Sequence, residues 1–180
     1  GALACAATID AATVRDELVR QTGRTPASEF EWNLGLTARL ALGALGTKPE
    51  DVFAIRGLTG LEVALYDVGP VSPGGGEPLD LAGIDRRGWE TVVRFRDAQS
   101  SALVVVQPAG DAIGKLVLVG SGRNQVLYAR LEGRLDPGLP AELGRSVMTR
   151  GPEATKNALI DTAETRPGSD RASRLSPLEE

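Results

Sequence analysis

Glu90, Asp97, Asp111 and Glu132 are the first residues to weigh for chemistry in this chain. Two carboxyl groups facing each other across a sugar suffice for glycoside hydrolysis, one as acid and the other as base or nucleophile. Their setting points elsewhere. Each lies in or beside a stretch of alternating polar and apolar residues, where an acid belongs to the solvated side of a strand. The 180 residues include no histidine, which removes Ser–His and Cys–His nucleophile pairs and most zinc and transition-metal sites. No D-x-D-x-D-G calcium loop occurs. The expectation is a non-enzyme, with no catalytic residues, no cofactor-binding residues, no bound cofactor and no metal ligands.

Glycine-rich stretches are the next candidates. Gly120-Ser121-Gly122 follows an apolar run, but Gln125 stands where a dinucleotide fingerprint has its third glycine, and strand character follows instead of a helix. A hairpin turn is expected there. Gly74-Gly75-Gly76 lacks the Lys-Ser/Thr of a phosphate loop and reads as a linker.

Cys5 is the only cysteine, so no internal disulfide can form. Ala2-Leu3-Ala4 before it fits the small-x-small pattern of a signal-peptidase site, and Ala4-Cys5-Ala6 fits one frame later. A lipoprotein box also places a cysteine after a small residue, with a large aliphatic three before it and a small residue two before. Here Ala2 and Leu3 reverse that preference. Export with cleavage nearby is the leading reading; lipidation of Cys5 and a structural thiol stand beside it.

Composition sets the bounds. Apolar residues make up 42% and charged residues 24%, which is ordinary for a globular domain. A net charge of −4 with no Lys/Arg cluster gives no electrostatic footprint for nucleic acid. No apolar run approaches the roughly 18 residues of a membrane-crossing helix, so any membrane contact would run through a lipid anchor.

The elements follow from periodicity. Residues 10–21 read as a helix started by Asp10 or Thr13, with Val14 and Leu18 on one face and Gly23 as the stop. Residues 29–34 alternate as a strand, 36–45 as a second helix, 48–53 as one more turn and 61–66 as a second strand. The Pro/Gly-rich stretch 69–78 is a flexible connection, and 81–87 suggests a short helix closed by Gly88. Four apolar runs, 89–95, 102–106, 115–119 and 125–131, are parted by Ser100-Ser101, by residues 108–111 and by Gly120-Ser121-Gly122, giving an antiparallel meander. Residues 139–148 close it with a helix.

Beyond Gly151 the apolar pattern thins, leaving room for a short helix at Leu159 and Ile160 in an otherwise loosely ordered tail. The expected division is an N-terminal segment 1–26, a domain 27–150 and a flexible tail 151–180. The fold class is α+β: a single mainly antiparallel sheet with helices packed mainly on one face. Leu103-Val104-Val105-Val106 and Leu116-Val117-Leu118-Val119 are apolar at every position, so both sheet faces need cover there. The early segments, a partner subunit or an apolar ligand would supply it. Trp32, Trp89, Phe30, Phe53 and Phe95 are expected in the core, and Arg94 and Arg96 on the opposite face with Glu62 as a cross-strand partner.

Six segments, "EFEWNLG" leading into "LTARLAL", "IRGLTGLEVALYDV", "RRGWETVVRF", "AIGKLVLVGSGRNQVLYARLEGRLD" and "LPAELGRSV", together resemble a family of small bacterial exported or lipoprotein-type proteins, domain of unknown function forty-two fifty-two. The entry Gly88-Trp89-Glu90 and the close Leu131-Glu132-Gly133 are its most distinctive points. The resemblance implies export, periplasmic or membrane-anchored, with envelope partners and no reaction. The expected function is therefore a non-catalytic cell-envelope domain acting by binding or assembly, with an unknown protein or apolar ligand as partner or a second copy of the chain. A periplasmic carrier of a lipid or other apolar molecule is the alternative, and a carboxylate hydrolase is third.

Overall fold

The two four-residue apolar runs lie side by side in the middle of a six-stranded sheet, and both of its faces are covered. A computed structural model describes residues 6–34, 57–69, 83–122 and 124–164. The strands are β1 (Ala27–Leu34), β2 (Leu58–Asp67), β3 (Glu90–Arg96), β4 (Ser100–Ala109), β5 (Ala112–Gly122) and β6 (Gln125–Leu135). Their order across the sheet is β1-β2-β6-β5-β4-β3, and every pairing is antiparallel. Strands β3 to β6 form the expected meander; β2 then joins the outer side of β6. This leaves β1 and β3 at the two edges.

Three helices complete the described structure: α1 (Ala11–Thr22), α2 (Leu139–Arg150) and α3 (Pro152–Glu164). Because neighbouring residues of a strand point to opposite faces, Val104, Leu116, Leu118, Leu127 and Ala129 meet Leu143, Val147 and Leu159 of α2 and α3. Leu103, Val105, Val117, Val119, Val126 and Tyr128 face the other way, where Ile9, Val14, Leu18 and Ile84 cover them. The early segments supply the second cover. Each such fully buried aliphatic contributes about 1.5–3 kcal/mol, so the central strands are anchored from both sides. Among the described residues α2 and α3 share one face, and α1 with Ile9 and Ile84 covers the other.

Several local expectations are corrected. Gly120 to Gly122 belong to β5, and the chain reverses between Gly122 and Gln125. Gly120 is small for a packing reason: a Cβ there would sit 2.6 Å from Cγ1 of Val147. Ser100 and Ser101 likewise belong to β4; the turn before them is closed by Asp97, whose carboxylate accepts from the amides of Gln99 and Ser100. Ser101 then points inward and shares a hydrogen bond with Ser121, at 2.6 Å. Residues 83–88 form no α-helix; Gly88 has φ +77 and a Cβ would strike Ala6.

The tail differs most. Residues 152–164 form α3, whose Leu159 lies in the core and whose Thr155 hydroxyl is paired with Ser146 of α2 at 2.9 Å. Lys156 holds its ammonium 4.8 Å from the Phe30 ring, tying α3 to β1. Helix α1, expected in a separate N-terminal segment, packs Val14 and Leu18 on the sheet. The expected helix 36–45, the turn 48–53, Phe53, Cys5, most of the 69–78 connection and residues 165–180 lie outside the described residues.

Candidate functional site

Among the described residues the largest fully buried aromatics are Tyr66 and Tyr128, and they build a polar cluster beneath the start of α1. Tyr66 donates to the Ala11 carbonyl at 3.1 Å. The Tyr128 hydroxyl lies 3.2 Å from both the Ile9 carbonyl and Oε2 of Glu62. Glu62 in turn pairs with Arg130 at 3.1 Å, and Arg130 reaches Glu132 at 3.5 Å. Asp10 caps α1 by accepting from the Thr13 amide at 2.8 Å. Glu62 thus serves Arg130 from the neighbouring β6; β3, with Arg94 and Arg96, lies beyond β6, β5 and β4, so the expected pairing of Glu62 with those arginines does not form.

Electrostatics follow from these contacts. The hydrogen bonds from Thr13 hold the Asp10 carboxyl below its ordinary value. Burial, with the carboxylates of Glu31, Glu62 and Asp10 nearby, pushes the Tyr66 hydroxyl up to about 12. Burial and Glu62 push Tyr128 higher still. A cavity of about 290 Å³ opens beside the cluster, lined by Asp10, Arg15, Glu31, Glu62 and Tyr66. Three of its polar side chains are occupied: Asp10 with the helix, Glu62 with Arg130 and Tyr128, Tyr66 with a carbonyl; the side chains of Arg15 and Glu31 make no ion pair or hydrogen bond among the described residues. The arrangement fastens α1 to the sheet. Among the described residues no group of three or more Cys, Asp or Glu side chains is placed to hold a metal ion.

The four acids weighed for catalysis are scattered. Asp97 caps a turn, Glu132 flanks Arg130, and Asp111 pairs with Arg134 at 3.0 Å with its side chain 83% exposed. Glu90 and Asp111 both line a second cavity, of about 370 Å³. Asp111 there is open to solvent and paired with Arg134.

That second cavity is an open groove with an apolar floor. Val92, Val93, Val106, Pro108, Ile113 and Pro140 line it, where β3, the β4–β5 hairpin and the first turn of α2 meet. It begins at the start of β3 and crosses the ends of β4 and β5 on the face of α2; β3 has no strand on its outer side among the described residues. The register shifts between Thr91 and Val93, so Val92 is an extra, bulged residue. Its side chain is 42% exposed, one of few large apolar side chains open to solvent. Sequence reasoning missed this place, although the adjacent valines of Glu90-Thr91-Val92-Val93 break the period of two.

The aromatic expectations divide. Trp89 lies just before β3, half-buried, with its indole N–H donating to the Ala7 carbonyl at 2.7 Å. Phe30 packs against the core from β1, and Phe95 is half-buried on β3. None of them lines either cavity.

No family model matches this chain, and no curated protein or solved structure is significantly similar to it. The resemblance carried by the segments between Glu29 and Val147 thus stands on those motifs alone.

Proposed function

We propose that this chain is a non-catalytic domain of the cell envelope that works by binding another protein along the outer edge of β3. The observation that carries the reading is the juxtaposition of a strand edge that has no neighbouring strand among the described residues with an apolar groove that opens on the α2 face at the start of that strand. Elsewhere the described core is closed on both faces, and Val19 and Met148 are the other large apolar side chains counted as exposed. The envelope location rests on the small residues around Cys5 and on the family resemblance.

The carrier reading keeps one supporting observation. A volume of about 370 Å³ is within the range of small-molecule sites. The groove lies at the rim of the sheet, however, and not between the meander and its helices.

Native mass spectrometry of the protein purified gently from its host tests both. A bound polypeptide that is lost when Val92 is replaced in a Val92→Glu variant is the expected result. A stoichiometric small apolar adduct in place of a polypeptide would overturn the binding-domain reading in favour of the carrier. The same spectrum reads the N-terminus: cleavage beside Cys5 or a diacylglyceryl mass on it supports the envelope, and an intact cytoplasmic start refutes it.

A further inference from the structure

Strand β3 has two unlike faces. Arg94 and Arg96 lie opposite Leu103 and Ser101 of β4, on the face that α1 covers further in; Val93 and Phe95 lie opposite Val104 and Ala102, on the face of α2. Arg86 adds a third guanidinium to the first side, donating to the Thr91 hydroxyl at 3.2 Å. Arg94 is exposed and makes no ion pair or hydrogen bond among the described residues. The edge is thus cationic on one side and apolar on the other, in a chain whose net charge is −4.

We infer that the partner at this edge is an extended segment in which acidic and apolar residues alternate, added to the sheet as a further strand beside β3. This rests on the reading of that edge as the binding site. Side chains of a strand alternate between the two faces. An incoming strand with carboxylates at every second position therefore sets one beside Arg94, and its apolar residues beside Val93 and Phe95. Main-chain hydrogen bonds hold it, and opposite charges across the pair fix its register.

A second copy of β3 does not meet this description. A two-fold axis that joins two edges into one sheet keeps each face continuous, so it brings arginine rows together on one face. Like charges set opposite one another destabilise the pair. Nucleic acid would use the cations and leave Val93 and Phe95 unengaged.

The test uses a fluorescein-labelled peptide, acetyl-(Val-Glu)3-Val-amide, titrated with the full chain at low salt and read by fluorescence anisotropy. Saturable binding is expected, with the Val-Lys counterpart weaker by about tenfold or more. Arg94→Gln narrows that preference and Arg94→Glu narrows it further, both with unchanged circular dichroism, whereas an unchanged preference in Arg94→Glu overturns the inference. Two N-methylated forms decide the geometry. Alternate amides of a strand point to opposite edges, so methylation of the Glu nitrogens alone and of the Val nitrogens alone must differ, one form binding and the other not. Equal binding of acidic and basic peptides, or of both methylated forms, overturns this inference. It leaves the wider reading standing if Val92→Glu still releases the native partner, and that reading falls separately if no such partner exists.

Discussion

Gly120 of β5 and Val147 of α2 occupy one another's space: the Cβ that Gly120 lacks would stand 2.6 Å from Cγ1 and 2.9 Å from Cγ2 of Val147. The reverse fit holds one turn earlier, where a Cβ on Gly144 would stand 2.9 Å from Cγ1 of Val93. The helix and the sheet therefore exchange small and large residues, and α2 approaches the strands closely. Gly120→Ala is expected to destabilise the fold by about 1–3 kcal/mol through overpacking. Val147→Ala made in the same chain should recover part of that loss. Chemical denaturation of the four proteins gives the coupling directly, and strictly additive costs would refute the fit.

Helix α3 is the second testable part of the fold. Leu159 is fully buried against the sheet, so Leu159→Ala should cost about 2–5 kcal/mol. An exposed tail would lose almost nothing on the same change. Urea midpoints of the two proteins separate the alternatives.

The reason α3 hides in the sequence is visible in its residues. Its buried face is Thr155, Ala158, Leu159 and Thr162, mostly short or hydroxylated side chains that resemble a solvated surface. The hydroxyls are buried without cost because each donates one turn back, Thr155 to Gly151 at 2.9 Å and Thr162 to Ala158 at 2.8 Å. The meander, by contrast, is legible: β4 and β5 bury both faces at their centres, and their continuous Val/Leu runs state that openly. Turn residues misled where glycine or serine served packing, as at Gly120 and Ser101. Alternation puts Arg94 and Arg96 on their strand, but charge alone does not find their neighbour, since strand order is a long-range property that local alternation does not encode. The groove was not legible, because it is made by three segments distant in sequence, and its one local sign is the valine doublet at the bulge.

Alkaline pH should loosen the seat of α1. Tyr66 is pushed up to about 12 and Tyr128 further, so the folded chain keeps both hydroxyls protonated where the unfolded chain, near 10, releases them. Stability from these groups is complete below pH about 10 and falls as pH rises through and beyond 12, by about 1.4 kcal/mol per pH unit for each hydroxyl still held. Tyr128→Phe removes its share of the slope while losing the bonds to Ile9 and Glu62. Urea titrations between pH 9 and 11 on the two proteins check this, and parallel pH profiles would contradict it.

The acid limb rests on Asp10, with the opposite sign. Its carboxyl accepts from both the amide and the hydroxyl of Thr13, each at 2.8 Å, which depresses its titration below the ordinary 3.8. A depressed carboxyl contributes stability above its unfolded value, and that contribution fades as pH falls through the folded one. Asp10→Ala should therefore cost about 1 kcal/mol at neutral pH, the usual worth of a helix cap, and progressively less below pH 3.8. The loss should also be local. Tyr66 and Tyr128 hold the carbonyls of Ala11 and Ile9 from the sheet, so the first turn of α1 has a second tether that the variant keeps. Hydrogen exchange should then quicken at the amides near Thr13 while those of β5 and β6 stay protected; equal quickening across the sheet would mean that the cap supports the whole fold.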